Sequence, residues 1–298
     1  MARGKIVDAL KSGRILVSDG AWGTFLQKLG MKPGESPELW AVEHYDEVKN
    51  IAQSYIDAGA DMVEADSFGG TVYKLEHYGL AGRVAEINEA AARASREAAG
   101  EDNWVIASIG PTGKIMVTGE VTEEALYEAF KEQAMALEKG GADAVCIETM
   151  SAIDESVVAI RAAKENTDLE IICTYSFELT KKGEYRTMMG VSPEEAAKAA
   201  LEAGADIIGT NCGNGVDRMI VIVEQLKAAV PDAFILLHSN AGMPIHDMAT
   251  DTDTFPDTPE YMASLVPDLV KAGANIIGGC CGTTPEHIRA IKEAVSAL

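Results

Sequence analysis

The run IDAGADMVEAD, Ile56 to Asp66, passes from an amphipathic segment into a short apolar strand through Ala58-Gly59-Ala60-Asp61. The same join recurs at Gly140-Gly141-Ala142-Asp143, Ala203-Gly204-Ala205-Asp206 and Ala272-Gly273-Ala274-Asn275. Glycine at such a point supplies the left-handed stop of a helix, after which the chain turns at once into the next strand. Outward from these joins, β-branched runs alternate with segments of helical period, the pattern of βα units around a parallel sheet. The predicted strands are Ile15 to Asp19, Asp61 to Ala65, Trp104 to Ile109, Ala144 to Glu148, Ile171 to Tyr175, Ile207 to Asn211, Phe234 to Ser239 and Asn275 to Gly279. The four joins precede every second one of these eight strands, a regularity that predicts a closed (β/α)8 TIM barrel. An open doubly wound sheet is the competitor, but one that bound a dinucleotide would carry GxGxxG after its first strand, and none is present.

A chain of 298 residues fits one such barrel, which typically takes about 250, so a single domain over residues 1–298 is expected. No apolar run approaches the roughly 20 residues that span a bilayer. Asp8 and Lys11 also interrupt the stretch a secretory signal would need. These features predict a cytoplasmic protein without a membrane partner. The formal charge of −22 repels phosphate backbones and argues against a nucleic-acid partner. The five cysteines, an odd number in a chain too long to need disulfide staples, suit a reducing compartment and metal or catalytic roles.

The chemistry concentrates in Gly278-Gly279-Cys280-Cys281-Gly282-Thr283-Thr284-Pro285-Glu286-His287, where the last strand gives way to the last helix. Adjacent residues of a regular strand point to opposite faces, but glycines on both sides free the backbone to bring both sulfurs to one ion. Thr284 reads as an N-cap with Pro285 at the first helical position, so a positive helix end lies near the thiols and favours thiolate. A third thiol, Cys212 in Gly209-Thr210-Asn211-Cys212-Gly213-Asn214-Gly215, ends the sixth strand and faces the same barrel mouth. Three sulfurs with one exchangeable position is the pattern of a catalytic Zn²⁺ site. The plainer alternative is three small buried residues near strand ends. Cys146 and Cys173, inside apolar strands, read as packing residues.

GGCCGTTPEH, the NCG segment, Asp19-Gly20-Ala21-Trp22-Gly23-Thr24 and Asn240-Ala241-Gly242-Met243-Pro244 together resemble the homocysteine S-methyltransferase family. That family includes the homocysteine-binding module of cobalamin-dependent methionine synthase and betaine-homocysteine methyltransferase. The resemblance runs from about Leu10 to the carboxyl terminus. It implies a (β/α)8 barrel, Cys212, Cys280 and Cys281 as Zn²⁺ ligands, and homocysteine as methyl acceptor. It also implies substrate contacts at Asp19 and Glu148, where carboxylates can take the ammonium of an amino-acid thiol. Backbone amides from Gly20 and Ala21 to Thr24 are expected to receive its carboxylate. Asn240 is a candidate oxygen ligand to the metal when substrate is absent, or simply a turn former.

Two stretches depart from the family's pattern. Glu64-Ala65-Asp66-Ser67-Phe68-Gly69 stands where Thr-Asn-Thr-Phe is more frequent, and His238-Ser239 precede Asn240 where a proline is common. Asp66 and Ser67 are therefore expected in the substrate site, with the extra acid at Asp66 altering acceptor or donor preference. His238 is expected behind the ligands, whereas His44, His77 and His287 read as surface or helix residues and His246 as a loop residue. The loops Gly30 to Pro37 and Gly242 to Pro259 are candidate walls of the site. No DxHxxG cobalamin signature occurs, so any corrinoid is expected on a separate partner protein. Methyl transfer from that protein to homocysteine leads the alternatives. S-methylmethionine or betaine as donor follows, then a substrate:corrinoid methyltransferase that demethylates another compound at the same site. A zinc- or thiol-binding protein without turnover is the remaining class, against which the acidic groups at the strand ends argue.

Overall fold

The computed structural model describes residues 3–248 and 252–298. All eight expected strands form: β1 (Leu16–Val17), β2 (Met62–Ala65), β3 (Trp104–Ile109), β4 (Ala144–Met150), β5 (Glu170–Tyr175), β6 (Ile207–Gly215), β7 (Ile235–Asn240) and β8 (Ile276–Gly279). Every neighbouring pair is parallel, in the order β1-β8-β7-β6-β5-β4-β3-β2, and helices surround the sheet. The seam between β1 and β2 is stitched rather than laddered. Asp61 N donates to Val17 O (2.7 Å), Val17 N donates to the Asp61 carboxylate (2.8 Å), and Glu64 N donates to the Asp19 carboxylate (2.8 Å). The result is a nearly closed (β/α)8 barrel.

The seam explains the repeated join. Gly59, Gly141, Gly204 and Gly273 all have φ between 101° and 116°, the left-handed conformation that a side chain disfavours. Two residues on, Asp61, Asp143, Asp206 and Asn275 each exchange two hydrogen bonds with the preceding strand. The backbone N–H donates to the carbonyl of Val17, Val105, Ile171 or Ile235, and the side-chain oxygen accepts that same residue's N–H. A short polar side chain with an sp² oxygen is required at each site, which accounts for Asp or Asn and nothing longer. Lys292, Arg96 and Lys164 pair with the three aspartates.

Alternation along the strands sorts the barrel interior into layers. Toward the amino ends it is apolar, with Leu16, Met62, Ile106, Cys146, Ile172, Ile207, Leu236 and Ile276 in one buried cluster. A helix not read from the sequence, Ile6–Lys11, plugs this end with Ile6 and Leu10, and the Glu170 carboxylate accepts the N–H groups of Ile6 (2.6 Å) and Val7 (2.9 Å). Two residues further along, the interior becomes polar at Glu64, Ser108, Glu148, Thr174 and His238, and four residues beyond Ile207 at Asn211, all buried. Cys146 lies in the inner cluster and Cys173 in the layer between sheet and helices, both fully buried, as packing residues should be.

The largest differences from the expected boundaries fall at the carboxyl ends, and those at the amino ends are at most one residue. β6 runs on past Asn211 through Cys212, and its register with β7 shifts between Asn211 and Gly215. Two short antiparallel ribbons were not expected, Glu178–Leu179 with Tyr185–Arg186 and Ile245–Asp247 with Thr252–Thr254. The second occupies the expected loop Gly242 to Pro259, of which residues 249–251 lie outside the described residues. Among the described residues no helix is long and apolar enough to cross a membrane.

Candidate active site

The barrel mouth holds a cavity of about 270 Å³. Cys212, Cys280 and Cys281 meet at its wall, with Cys212 Sγ 4.0 Å and Cys280 Sγ 3.9 Å from Cys281 Sγ. Two sulfurs bound to one tetrahedral Zn²⁺ at about 2.3 Å stand about 3.8 Å apart, so the triad has the spacing such an ion needs. Cys212 reaches this position because the irregularity in β6 puts it at φ 56°, a left-handed conformation for a residue with a side chain. Strain of this kind costs about 1–3 kcal/mol and persists only where the surroundings impose it.

The two vicinal cysteines are aimed by their neighbours. A Cβ on Gly278 would lie 2.8 Å from the His238 ring and 2.8 Å from Ser18 Cβ, so only glycine lets β8 pass so close. Thr283 Oγ1 accepts Ala21 N (3.0 Å) and donates to Cys280 O (2.7 Å), pinning the loop after β1 to the cysteine turn. Thr284 is the N-cap and Pro285 the first residue of the helix Pro285–Ser296. His287, expected as a surface or helix residue, is on that helix but buried, where Nδ1 accepts Thr284 N (3.1 Å) and Nε2 faces Asp257 O (3.0 Å).

The electrostatics of the triad call for a cation. Hydrogen bonds from Cys280 and Cys281 pull Cys212 down to about 3, while the same contact with Cys212 pushes Cys281 up to about 12 and Cys280 well above its ordinary value. With protons alone, one sulfur carries the charge and the other two remain thiols. A divalent ion bound there would let all three become thiolates. Asn240 is buried beside Cys212, and its Oδ1 has no hydrogen-bond partner among the described residues.

The other expected residues divide into two groups. Gly20, Ala21, Thr24, Asp66, Ser67 and Glu148 line the cavity, whereas Asp19 lies behind the wall with no exposure. The Asp19 carboxylate accepts Trp22 Nε1 (2.9 Å) and Glu64 N (2.8 Å), and burial raises it to about 6. It therefore positions two lining residues. Ser67 Oγ donates to Ser108 O (2.7 Å). Glu148 accepts from Ser108 Oγ and from Asn211 Nδ2 (3.0 Å), and burial raises it to about 7.

Glu64, Glu38, Asn211 and Thr149 were not singled out from the sequence. Glu64, whose carboxyl burial and Glu148 push well up, lines the cavity with an orphaned Oε1, 3.6 Å from His238 Nδ1. His238 is held neutral by burial, which lowers it to about 4. Glu64, Glu148 and His238 bring their ligand atoms within 4.8 Å of one another. The signal for Glu64 was present, an acid in an apolar strand two residues before Asp66. Glu38 comes from the loop after β1, where nothing in the sequence indicates direction. Asn211 and Thr149 act by conformation: Asn211 Oδ1 accepts Thr149 N (2.7 Å) and Thr174 Oγ1 (2.7 Å), and Thr149 has φ 59°.

Residues 16–295 match the family model for homocysteine S-methyltransferase, and the chain belongs to that family. It is 30% identical to methionine synthase of Mycobacterium leprae over 95% of this chain and 24% of that protein. With the methionine synthase of Mycobacterium tuberculosis it is 30% identical over 98% of this chain and 25% of that protein. The chain thus spans about a quarter of the length of these relatives. Among solved structures, the metallated homocysteine methyltransferase MmuM of Escherichia coli superposes with a TM-score of 0.78 at 21% identity, covering 96% of this chain and 98% of that one.

Proposed function

We propose that this barrel transfers a methyl group to the thiol of homocysteine, with Cys212, Cys280 and Cys281 holding the Zn²⁺ that makes the thiol reactive. The observation that carries the reading is the sulfur triad itself, spaced at 3.9 and 4.0 Å and opening into a cavity lined by acidic groups. Bound there, Zn²⁺ supplies the Lewis acidity that keeps a substrate thiol as thiolate at neutral pH. The rest is done by the chain. Glu148, fixed by Ser108 and Asn211, and Glu64 beside it receive the substrate ammonium. The N–H groups of Trp22, Gly23 and Thr24, which have no protein acceptor among the described residues, face its carboxylate. Asn240 Oδ1, without a hydrogen-bond partner among the described residues, would offer the metal an oxygen when substrate is absent. Held at both ends, the acceptor sulfur is oriented for in-line attack on the methyl group, and the barrel excludes water.

The donor we favour is a methyl-corrinoid carried by a separate protein, because the similarity to methionine synthases extends along nearly the whole of this chain. S-methylmethionine, betaine and the reverse demethylation remain alternatives on the same chemistry. The test is zinc content and zinc X-ray absorption of protein prepared anaerobically, for wild type and Cys280→Ser, with homocysteine titrated in. About one zinc per chain with three sulfur neighbours, rising to four with homocysteine and lost in the variant, is expected. Absence of zinc from the wild type would overturn the reading, and zinc unmoved by homocysteine would transfer it to another thiol.

A further inference from the structure

The cavity holds a carboxyl that neither the metal triad nor the ammonium site uses. Asp66 is 5% exposed, lines the cavity, and its Oδ2 has no hydrogen-bond partner among the described residues. We propose that Asp66 works as a neutral carboxylic acid donating a hydrogen bond to the carboxylate of the amino-acid acceptor, and so sets preference for acceptors that carry one. The inference rests on the reading of the site as one for an amino-acid thiol.

Three observations support it. Glu38, the acid nearest in effect to Asp66, already has both oxygens occupied, by Gly69 N (2.7 Å) and Ser36 Oγ (2.9 Å). Among the described residues no lysine or arginine lines the cavity, so nothing there neutralises a second carboxylate. Two buried carboxyls in proximity do not both ionise, and the proton falls on the one without donors. Burial and then Glu38 accordingly push Asp66 well above the ordinary carboxyl range. The other titratable groups around the cavity are Glu64 on β2, Glu148 on β4, His238 on β7 and the cysteines, none of them a permanent cation.

A protonated carboxyl offers one O–H donor, and the choice of its partner follows from the acceptor's own chemistry. The ammonium of an amino-acid thiol is donor only and faces Glu64 and Glu148, and the sulfur goes to the triad. The substrate carboxylate is then the one strong acceptor left. A hydrogen bond of this kind is charge-assisted and short-ranged. Its contribution is fully present while Asp66 is protonated and is lost as pH rises through the raised pKa, where two carboxylates would repel.

The test is the dissociation constant of homocysteine and of 3-aminopropane-1-thiol, which lacks the carboxylate, for zinc-loaded wild type and Asp66→Asn from neutral into alkaline pH. Asparagine keeps a donor but has no proton to lose. The ratio of wild-type to variant constants cancels the pH dependence of the thiol itself. For homocysteine it is expected near one at neutral pH and about tenfold higher once Asp66 ionises. For the aminothiol it is expected to stay flat, which also reports that the variant is folded and loaded. A flat ratio for homocysteine overturns the proposal. Weakened binding of both thiols by the variant at neutral pH overturns it too, since Asp66 would then be serving a cation. Failure of wild type to bind homocysteine at all would instead remove the underlying reading of the site.

Discussion

Replacing Asn211 with alanine tests whether the site is held by one side chain spanning three strands. Asn211 makes four hydrogen bonds, donating to Glu148 Oε2 (3.0 Å) and Thr149 Oγ1 (2.7 Å) and accepting from Thr149 N (2.7 Å) and Thr174 Oγ1 (2.7 Å). The two hydroxyls can rotate to other partners, but the Thr149 N–H and Glu148 Oε2 remain without one. Each orphan costs about 1–3 kcal/mol, so the loss is about 3 kcal/mol. At this chain length that is roughly 6 °C in melting temperature. Function should suffer more than stability suggests. Asn211 holds Thr149 at φ 59° through two hydrogen bonds and directly precedes Cys212 at φ 56°. Calorimetry of the zinc-loaded protein, with homocysteine affinity measured beside it, should show the melting shift together with at least a tenfold loss of affinity, the size of one charge-assisted hydrogen bond. A shift equivalent to less than about 1 kcal/mol, with affinity unchanged, would refute the argument, because water would then be replacing the amide.

Glu148→Gln should separate stability from binding. The native carboxyl sits at about 7 against an ordinary 4.5, so the folded state holds a proton the unfolded state has lost, and wild-type stability falls as pH rises from 4.5 to 7. The variant should therefore gain on the order of 2 kcal/mol over wild type above pH 7 and little below pH 4.5, while losing homocysteine affinity. Parallel denaturation curves for the two proteins at every pH would count against the buried ionisation. Asp61→Ala removes the acceptor of Val17 N–H and the partner of Lys292 (2.8 Å each), and should cost about 2–3 kcal/mol with loss of amide-exchange protection at Val17. Asp61→Asn, which copies Asn275, should cost clearly less, and persistent protection of Val17 in the alanine variant would exclude the stitched seam.

The barrel was legible because its signals are local. The join Gly-Ala-Asp announces a left-handed stop and a base-of-strand hydrogen bond within four residues, and the period of the strands does the rest. The cysteines were legible for a similar reason, since a vicinal pair framed by glycines has no packing rationale. What the sequence did not reveal depends on long-range encounters. Strand alternation puts Glu64 and Glu148 on the inner face, but whether Asp19 faces substrate or backbone is decided by the indole of Trp22 and the N–H of Glu64, which claim its carboxylate. Glu38 joins the site because Gly69 N–H, in the loop after β2, donates to its carboxylate, which the Ser36 hydroxyl on its own loop orients.

The charge arrangement of the mouth links these separate contacts. Three thiols and the carboxyls of Glu38, Glu64, Asp66 and Glu148 line one cavity, with no lysine or arginine among the described lining residues and a neutral histidine. Burial first, and neighbouring negative charge after it, raises Glu64, Asp66 and Glu148, so that protons neutralise the cavity while it is empty. On the proposed function, binding brings positive charge in: a divalent ion to the sulfurs and an ammonium to Glu64 and Glu148. A substrate's negative end can be accepted only where the protein presents N–H groups or a carboxyl that has kept its proton. The polarity of the bound amino acid is thus imposed by where this cavity keeps its protons, and exchanging Asp66 for asparagine changes that one term while leaving the shape of the cavity as it is.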